Sequence, residues 1–102
     1  MELTTGARLR SQVGTTELIV VKPPAGDVDL RCGGHPMVAL DAEPEAGLEI
    51  EAGLEEGAQI GKRYTDAAGE LELLITKAGP GTLTIDGVPV QLKEAKPLPA
   101  SD

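Results

Sequence analysis

The sequence predicts an all-β fold in which two pseudo-symmetric β-hairpin units form a small barrel or sandwich. An internal repeat predicts the two units, because a shift of 55 positions aligns many identical residues without a gap. Short apolar stretches of alternating polarity predict strands, and the 13 Gly and 8 Pro that separate them predict turns. Nothing in this pattern favours a long helix.

The repeat sets the domain organisation. Under the first shift, identical pairs are Gly6 with Gly61, Arg8 with Arg63, Gly14 with Gly69, Glu17 with Glu72, Leu18 with Leu73, Lys22 with Lys77 and Gly26 with Gly81. After a two-residue deletion the match resumes, with Leu30, Gly34 and Pro36 on Leu83, Gly87 and Pro89. We therefore expect one domain over residues 1–102, divided into repeat one at 6–38, an acidic connector at 39–60, repeat two at 61–90 and an extended C-terminal tail at 91–102.

Each repeat is predicted to contain three strands. They are expected at residues 9–13, 17–21 and 28–32 in the first copy and at 63–65, 70–76 and 82–85 in the second. The turn-forming segments 23–26, Pro-Pro-Ala-Gly, and 78–81, Ala-Gly-Pro-Gly, lie between the second and third strands. We expect these segments to join the two strands of a hairpin in each copy.

Composition limits the function classes. With no Trp, no Phe and one Tyr, the core must be aliphatic, and base-stacking platforms are excluded. The net charge of -8 argues against nucleic acid, whose binding depends on Lys and Arg at phosphates. A single cysteine gives no intramolecular disulfide, and no apolar run is long enough for a signal peptide or a membrane span. These features predict a cytoplasmic protein with no membrane partner.

The connector carries many carboxylates and no basic residue. Its acidic residues are Asp41, Glu43, Glu45, Glu49, Glu51, Glu55 and Glu56. Even spacing of Leu48, Ile50 and Leu54 predicts a strand over residues 48–52, with an edge that its glutamates keep soluble. The connector is either a solvated link or a site for a cation or a basic partner.

Residues 30–37, Leu-Arg-Cys-Gly-Gly-His-Pro-Met, end a pattern that continues back to residue 17. This segment resembles the Leu-x-Cys-Cys-Gly-x-Pro-Met end of the desulforedoxin family and of the N-terminal domain of desulfoferrodoxin. Residues 17–26 are similar to the preceding strand and turn of that family, and residues 71–90 resemble the same region in the second copy. The resemblance covers about two thirds of the chain and implies the fold of that family in tandem.

The resemblance also implies a metal site, from which this chain departs. The family holds one iron with four cysteine thiolates, and the matching positions here are Ser11, Gly14, Cys32 and Gly33. In the second copy the matching positions are Asp66, Gly69, Ile85 and Asp86. Because only Cys32 offers a thiolate, a rubredoxin-type iron centre within one chain is excluded. Packing around a shared aliphatic core is expected to replace the stabilising free energy that metal binding would have supplied.

Cys32 and His35 form Cys-x-x-His, which is half of a Cys₂His₂ zinc site. A homodimer would supply the other half for zinc or iron. Alternatively, Cys32 is a small buried hydrophobic residue and His35 a turn residue, or His35 activates Cys32 as a nucleophile. Asp66 and Asp86 are either turn residues, with Asp86-Gly87 as a hairpin turn, or a pair that binds a cation.

Three further features allow two interpretations each. Arg8, Arg10 and Arg31 are expected to share one sheet face, where they either balance the connector or bind a carboxylate-bearing partner. Residues 96–102, which contain two prolines, are either a frayed extension or a docking segment. The two serines lie in no nucleophile-elbow context, and no glycine-rich loop precedes a helix, so a serine triad and a phosphate loop are unsupported.

These observations favour a non-catalytic accessory or protein-interaction protein without a cofactor, whose partner is another protein. The alternative is a zinc- or iron-binding protein with a site completed between chains through Cys32 and His35. A small enzyme that uses Cys32 is the least supported hypothesis, although the sequence does not decide whether the protein is an enzyme. It identifies neither the partner nor the pathway.

Overall fold

The computed structural model describes residues 3–93, which form ten short β-strands and no helix. The strands are β1 (Arg8–Arg10), β2 (Glu17–Lys22), β3 (Leu30–Cys32), β4 (His35–Pro36), β5 (Val38–Ala39), β6 (Arg63–Thr65), β7 (Glu72–Lys77), β8 (Leu83–Ile85), β9 (Val88–Pro89) and β10 (Gln91–Leu92). The predicted all-β class is confirmed. Because no helix occurs in residues 3–93, none of these residues belongs to a helix that would cross a membrane.

The strands form two antiparallel sheets. The larger sheet has the order β10-β6-β7-β2-β1-β5, and the smaller has the order β4-β3-β8-β9. In both sheets, strands of the first half lie on one side of the centre and strands of the second half on the other. Counting outward from the centre, β2, β1 and β5 mirror β7, β6 and β10, and β3 and β4 mirror β8 and β9. Each sheet ends in two different edge strands, so the described residues form no closed barrel.

The predicted hairpins between the second and third strands of each repeat are wrong. β2 pairs with β1 on one edge and with β7 on the other, so it has no free edge for β3. β3 instead joins the smaller sheet, where it pairs with β4 and β8. Residues 23–29 and 78–82 therefore carry the chain from one sheet to the other.

Tight hairpins occur one step later in each half. Gly33-Gly34 connects β3 to β4, and Asp86-Gly87 connects β8 to β9. All four residues have positive φ, at 64° and 92° in the first turn and 51° and 84° in the second. Two consecutive residues with positive φ characterise the type I′ turn, which suits the twist of adjacent strands. The prediction that Asp86-Gly87 is a hairpin turn is confirmed.

No strand lies within residues 40–60 of the connector, so the strand predicted over residues 48–52 is wrong. Its backbone groups bind loops instead of a ladder. Glu51 N donates to Gly33 O at 2.9 Å, and Leu54 O accepts from Thr82 N at 2.8 Å. Gly47 and Gly53, at φ 84° and 86°, bend the chain on both sides of this segment. Ile50, at the centre of the even apolar spacing, lies beside Gly33 of one of these loops and not on a sheet edge.

The hydrophobic core draws on both sheets and is aliphatic, as predicted. Alternate residues of β2 and β7 point into it, and so do residues of β3 and β8. These core residues are Leu18, Val20, Leu30, Cys32, Leu73, Ile75, Leu83 and Ile85. Burial of each large aliphatic side chain stabilises the fold by about 1.5–3 kcal/mol. Residues 91–93, expected in the tail, include β10, and the expected tail from residue 94 onward lies outside the described residues.

Glu72 is an acidic residue whose side chain is only 9% exposed. Its Oε2 accepts a hydrogen bond from Arg63 Nη1 at 2.8 Å, and its Oε1 accepts one from Lys93 Nζ. The hydrogen bond from Lys93 is the main cause that lowers the pKa of Glu72, and Arg63 lowers it to a smaller extent. Burial acts in the opposite direction. Glu72 thus ties β7 to β6 and to the end of β10.

We expect Glu72→Gln to lower the free energy of unfolding by about 1–2 kcal/mol at neutral pH, because charge-assisted hydrogen bonds are lost. A carboxyl whose pKa is lowered on folding stabilises the protein above its unfolded pKa of about 4.3 and loses that effect as the pH falls. The difference in the free energy of unfolding between Glu72→Gln and the parent should therefore shrink below about pH 4. Urea denaturation as a function of pH measures it, with the exposed Glu70→Gln as control. An unchanged difference at acidic pH would contradict the assignment.

Candidate functional site

Three polar side chains are buried together in the first half of the chain. Ser11 follows β1, Thr16 precedes β2 and Cys32 ends β3, and their exposed fractions are 1%, 0% and 0%. Ser11 N donates to Thr16 O at 2.9 Å, and Ser11 Oγ accepts from Val13 N at 3.0 Å. These bonds close the loop between β1 and β2 around the three side chains, which we call the polar cluster.

The second half of the chain supplies the cap of the polar cluster. The Cys32 thiol donates to the carbonyl oxygens of Gly81, at 3.6 Å, and Pro80, at 3.8 Å. Thr16 Oγ1 also donates to Pro80 O, at 3.5 Å. Gly81 has φ +109°, and a Cβ at this position would lie 2.9 Å from Cys32 Sγ. The cap therefore leaves no room beside the sulfur.

Burial governs the chemistry of Cys32. It raises the pKa of the thiol above its ordinary value, while side-chain hydrogen bonds with Ser11 and Thr16 act in the opposite direction. Only the thiolate is a good nucleophile and metal ligand. A fully buried, protonated thiol is therefore neither a reactive cysteine nor a ready metal ligand.

The four positions that the resemblance assigns to iron ligands lie around this cap. Ser11 and Cys32 belong to the polar cluster. A Cβ on Gly14 would lie 3.1 Å from the Pro80 ring, and one on Gly33 would lie 3.0 Å from Val13 Cγ2. One thiol, one hydroxyl and two residues without side chains do not fit a tetrahedral thiolate site. The donor set here does not match the iron that the resemblance implies.

The corresponding positions of the second half form a different surface. Asp66 Oδ1 accepts from Glu70 N at 2.8 Å, and Asp86 Oδ1 accepts from Asp29 N at 2.8 Å. Both aspartates thus brace turns, as one of the two interpretations expected. They also line one shallow depression, the second-half depression, formed by Asp66, Ala67, Ala68, Ile85, Asp86, Val88 and Pro89.

His35 faces Cys32 in the register of β3 and β4, but the two side chains have different partners. His35 Nε2 lies 2.7 Å from the carbonyl oxygen of Glu49, whereas the Cys32 thiol binds the cap. Among residues 3–93, no group of three or more His, Cys, Asp or Glu side chains is placed to hold a metal ion. A site completed by a second chain stays a prediction.

The expectation that three arginines share one sheet face is wrong for Arg31. Arg8 and Arg10 lie on β1 of the larger sheet, whereas Arg31 lies on β3 of the smaller one. Arg31 Nε pairs with Asp29 Oδ2 at 3.0 Å. Within the part of the chain that the structure describes, no arginine forms a salt bridge with a connector carboxylate. The connector carboxylates stay exposed to solvent.

Sequence reasoning missed Thr16 and the Pro80-Gly81 cap. A signal for Thr16 was present, because the 55-residue shift places it on Leu71, and both side chains are 0% exposed. A polar residue in one copy at an apolar position of the other marks a local change of chemistry. Pro80 lies 48 residues from Cys32 in the sequence, and no local sequence pattern predicts a contact over such a separation.

Comparison with protein-family models, with curated proteins and with solved structures gave no match to this chain. The resemblance to the desulforedoxin family is carried by the residues of the sequence pattern.

Proposed function

We propose that this protein is a non-catalytic accessory or protein-interaction protein on a tandem desulforedoxin-like scaffold that has lost its iron site. One observation carries the proposal. At the place where the thiolates of the family would converge, Ser11, Thr16 and Cys32 are packed without exposure beneath Pro80-Gly81. Packing and hydrogen bonds thus do the structural work of a metal.

Backbone hydrogen bonds support the tandem origin and a sandwich of two related halves. Corresponding pairs are Gly6 N to Val20 O with Gly61 N to Ile75 O, Val20 N to Ala7 O with Ile75 N to Lys62 O, Met37 N to Leu30 O with Val90 N to Leu83 O, and Gly33 N to Thr82 O with Asp86 N to Asp29 O. Each strand of the first half has its counterpart in the second half 55 or 53 positions later in the sequence. Both sheets contribute to one core cluster, as the layers of a sandwich do.

Accessibility supports the non-catalytic part of the proposal. Cys32, the strongest nucleophile in the sequence, is 0% exposed, and burial holds its pKa above the ordinary value. The imidazole of His35, the one candidate base, binds a backbone carbonyl instead of the thiol. All seven connector carboxylates, in contrast, face solvent.

The connector is the surface that we propose for the partner. Its seven carboxylates are exposed, and all but Glu55 make no side-chain hydrogen bond or salt bridge to residues 3–93. Four of these six are Glu43, Glu45, Glu49 and Glu56. Such a surface attracts a basic protein and accelerates its association. We place this interaction in the cytoplasm, as the composition predicts, without nucleic acid or membrane.

Conversion of these four glutamates to Gln tests the proposal. Bound proteins captured from native extract should be recovered at low salt and lost as the salt rises, because exposed charges are screened beyond about 8 Å at physiological ionic strength. The variant should recover at least about tenfold less of the same partner, since four charge contacts of a few tenths of a kcal/mol each are lost.

The control variant replaces Asp27 and Glu70 by Asn and Gln, which removes exposed charge outside the connector. It should retain the partner, and the melting temperatures of both variants should stay near that of the parent. Equal recovery with the connector variant and the parent, or no salt dependence, would refute the acidic surface as the binding site.

The second candidate, a zinc or iron site bridged between chains by Cys32 and His35, requires rearrangement of both residues. The thiol would have to leave the cap, and His35 Nε2 would have to leave the Glu49 carbonyl. Metal content and mass of the purified protein in solution distinguish this candidate from the first.

A further inference from the structure

The second-half depression exposes apolar surface beside two carboxylates. Val88 is 57% exposed, and Ala67 and Ala68 are exposed next to it. The charged groups are Asp66 and Asp86, each of which uses Oδ1 to brace a turn. An apolar patch with a negative rim fits a segment that carries an aliphatic side chain and a positive charge.

The corresponding surface of the first half is covered by the chain itself. Glu45 N donates to Gln12 Oε1 at 2.9 Å, and Glu49 O lies 2.7 Å from His35 Nε2. Further along, Glu51 N donates to Gly33 O. Gln12 and His35 align with Ala67 and Val88 under the shifts of 55 and 53. The connector thus occupies in the first half the surface that is open in the second.

The residue that follows the last strand of each half makes the same backbone hydrogen bond. Leu40 N donates to Arg8 O at 3.0 Å, and Lys93 N donates to Arg63 O at 2.7 Å. These two residues are 53 positions apart, as β5 and β10 are. After Leu40 the first half turns back through a hydrogen bond from Ala42 N to Ala39 O, and Glu45 then reaches Gln12.

The sequence continues the correspondence beyond Lys93. Residues 41–44 are Asp-Ala-Glu-Pro, and residues 94–97 are Glu-Ala-Lys-Pro. The first position is acidic in both segments, the second is Ala and the last is Pro. At the third position, Lys96 replaces Glu43. The next position replaces Glu45 by Leu98. Both replacements change the segment toward the chemistry that the second-half depression fits.

We propose that residues 94–98 of the same chain bind in the second-half depression. The Leu98 side chain packs against Ala67 and Val88, and the Lys96 ammonium lies toward the carboxylates of Asp66 and Asp86. Because β10 fixes Lys93, the segment is held next to its site at a high effective concentration. The proposal follows from residue correspondence and does not depend on the proposed partner.

Nuclear Overhauser spectroscopy on the isotope-labelled full chain tests this proposal. The Leu98 methyl groups should show cross-peaks to the methyl groups of Ala67 and Val88. In Leu98→Ser these cross-peaks should be lost, and the Ala67 and Val88 methyl resonances should shift. The control Ala100→Ser lies beyond the proposed contact and should leave these resonances in place.

Two results would overturn the proposal. One is the absence of cross-peaks from Leu98, together with unchanged Ala67 and Val88 resonances in Leu98→Ser. The other is cross-peaks that appear only between labelled and unlabelled molecules in a mixed sample, which would make a second copy of the chain the occupant. Neither result depends on whether a partner binds the connector, so this test is separate from that of the proposed function.

Discussion

Cys32 in the native protein should react with iodoacetamide at least about 10³ times more slowly than in the urea-unfolded chain. The thiol is 0% exposed beneath Pro80-Gly81, so the reagent reaches it only when the cap and core open. Core positions open with free energies near that of global unfolding, which is about 5–15 kcal/mol for domains of this size. Mass spectrometry of alkylated protein over time measures both rates.

A variant with Cys32→Ser and Ala25→Cys provides the control, because residue 25 is exposed in the loop after β2. Its thiol should react at similar rates with and without urea. Because folding raises the pKa of Cys32, its contribution to stability is present below the unfolded pKa of about 8.5 and is lost as the pH rises. Rapid native alkylation of Cys32 at neutral pH would refute the buried thiol and revive the reactive-cysteine hypothesis.

Gly81→Ala should lower the free energy of unfolding by about 3 kcal/mol or more. Two costs combine at this position. The residue has φ +109°, which L side chains rarely adopt, and the new Cβ would lie 2.9 Å from Cys32 Sγ and 3.2 Å from Gly33 N. Relief of the clash requires movement of backbone from the other half of the chain. Urea denaturation monitored by circular dichroism gives the value.

Gly26→Ala is the matched control, since Gly26 aligns with Gly81 in the first copy. It has φ +77° with nothing within 4 Å of an added Cβ, so only the backbone cost of about 1 kcal/mol applies. In a Cys32→Ala background, Gly81→Ala should cost less than in the parent, because the sulfur is gone. Equal costs for Gly81→Ala and Gly26→Ala would contradict a tightly packed cap.

Local pattern predicted where strands lie better than which strands pair. Alternation of apolar residues located β2 and β7 to within a residue or two, because one face of each strand enters the core. The hairpins were misplaced because Pro and Gly mark where the chain turns but not which sheet receives it. The alternation at Leu48 and Ile50 was misread because a side chain that packs on a loop, as Ile50 does near Gly33, gives the same pattern.

For the candidate site too, the sequence identified some residues and missed their long-range contacts. The resemblance pointed to Ser11 and Cys32, which the structure places in one cluster. It did not point to Thr16, because that position is no ligand in the family. Pro80 and Gly81 were read only as turn residues, since their contacts with Cys32 cross 48 and 49 residues of sequence. Contacts over such separations depend on how the two halves pack.

The central pairings, β2 with β7 and β3 with β8, bear on how such a chain arose. One half alone would leave the inner edges of β2 and β3 unpaired, and unpaired edges invite association with another chain. On the tandem origin that we propose, an ancestor with a single copy would have been a symmetric dimer, in which any substitution appeared twice. Fusion of two copies would remove that constraint. Thr16, which aligns with Leu71, and Cys32, which aligns with Ile85, are differences that an unfused homodimer is unable to acquire.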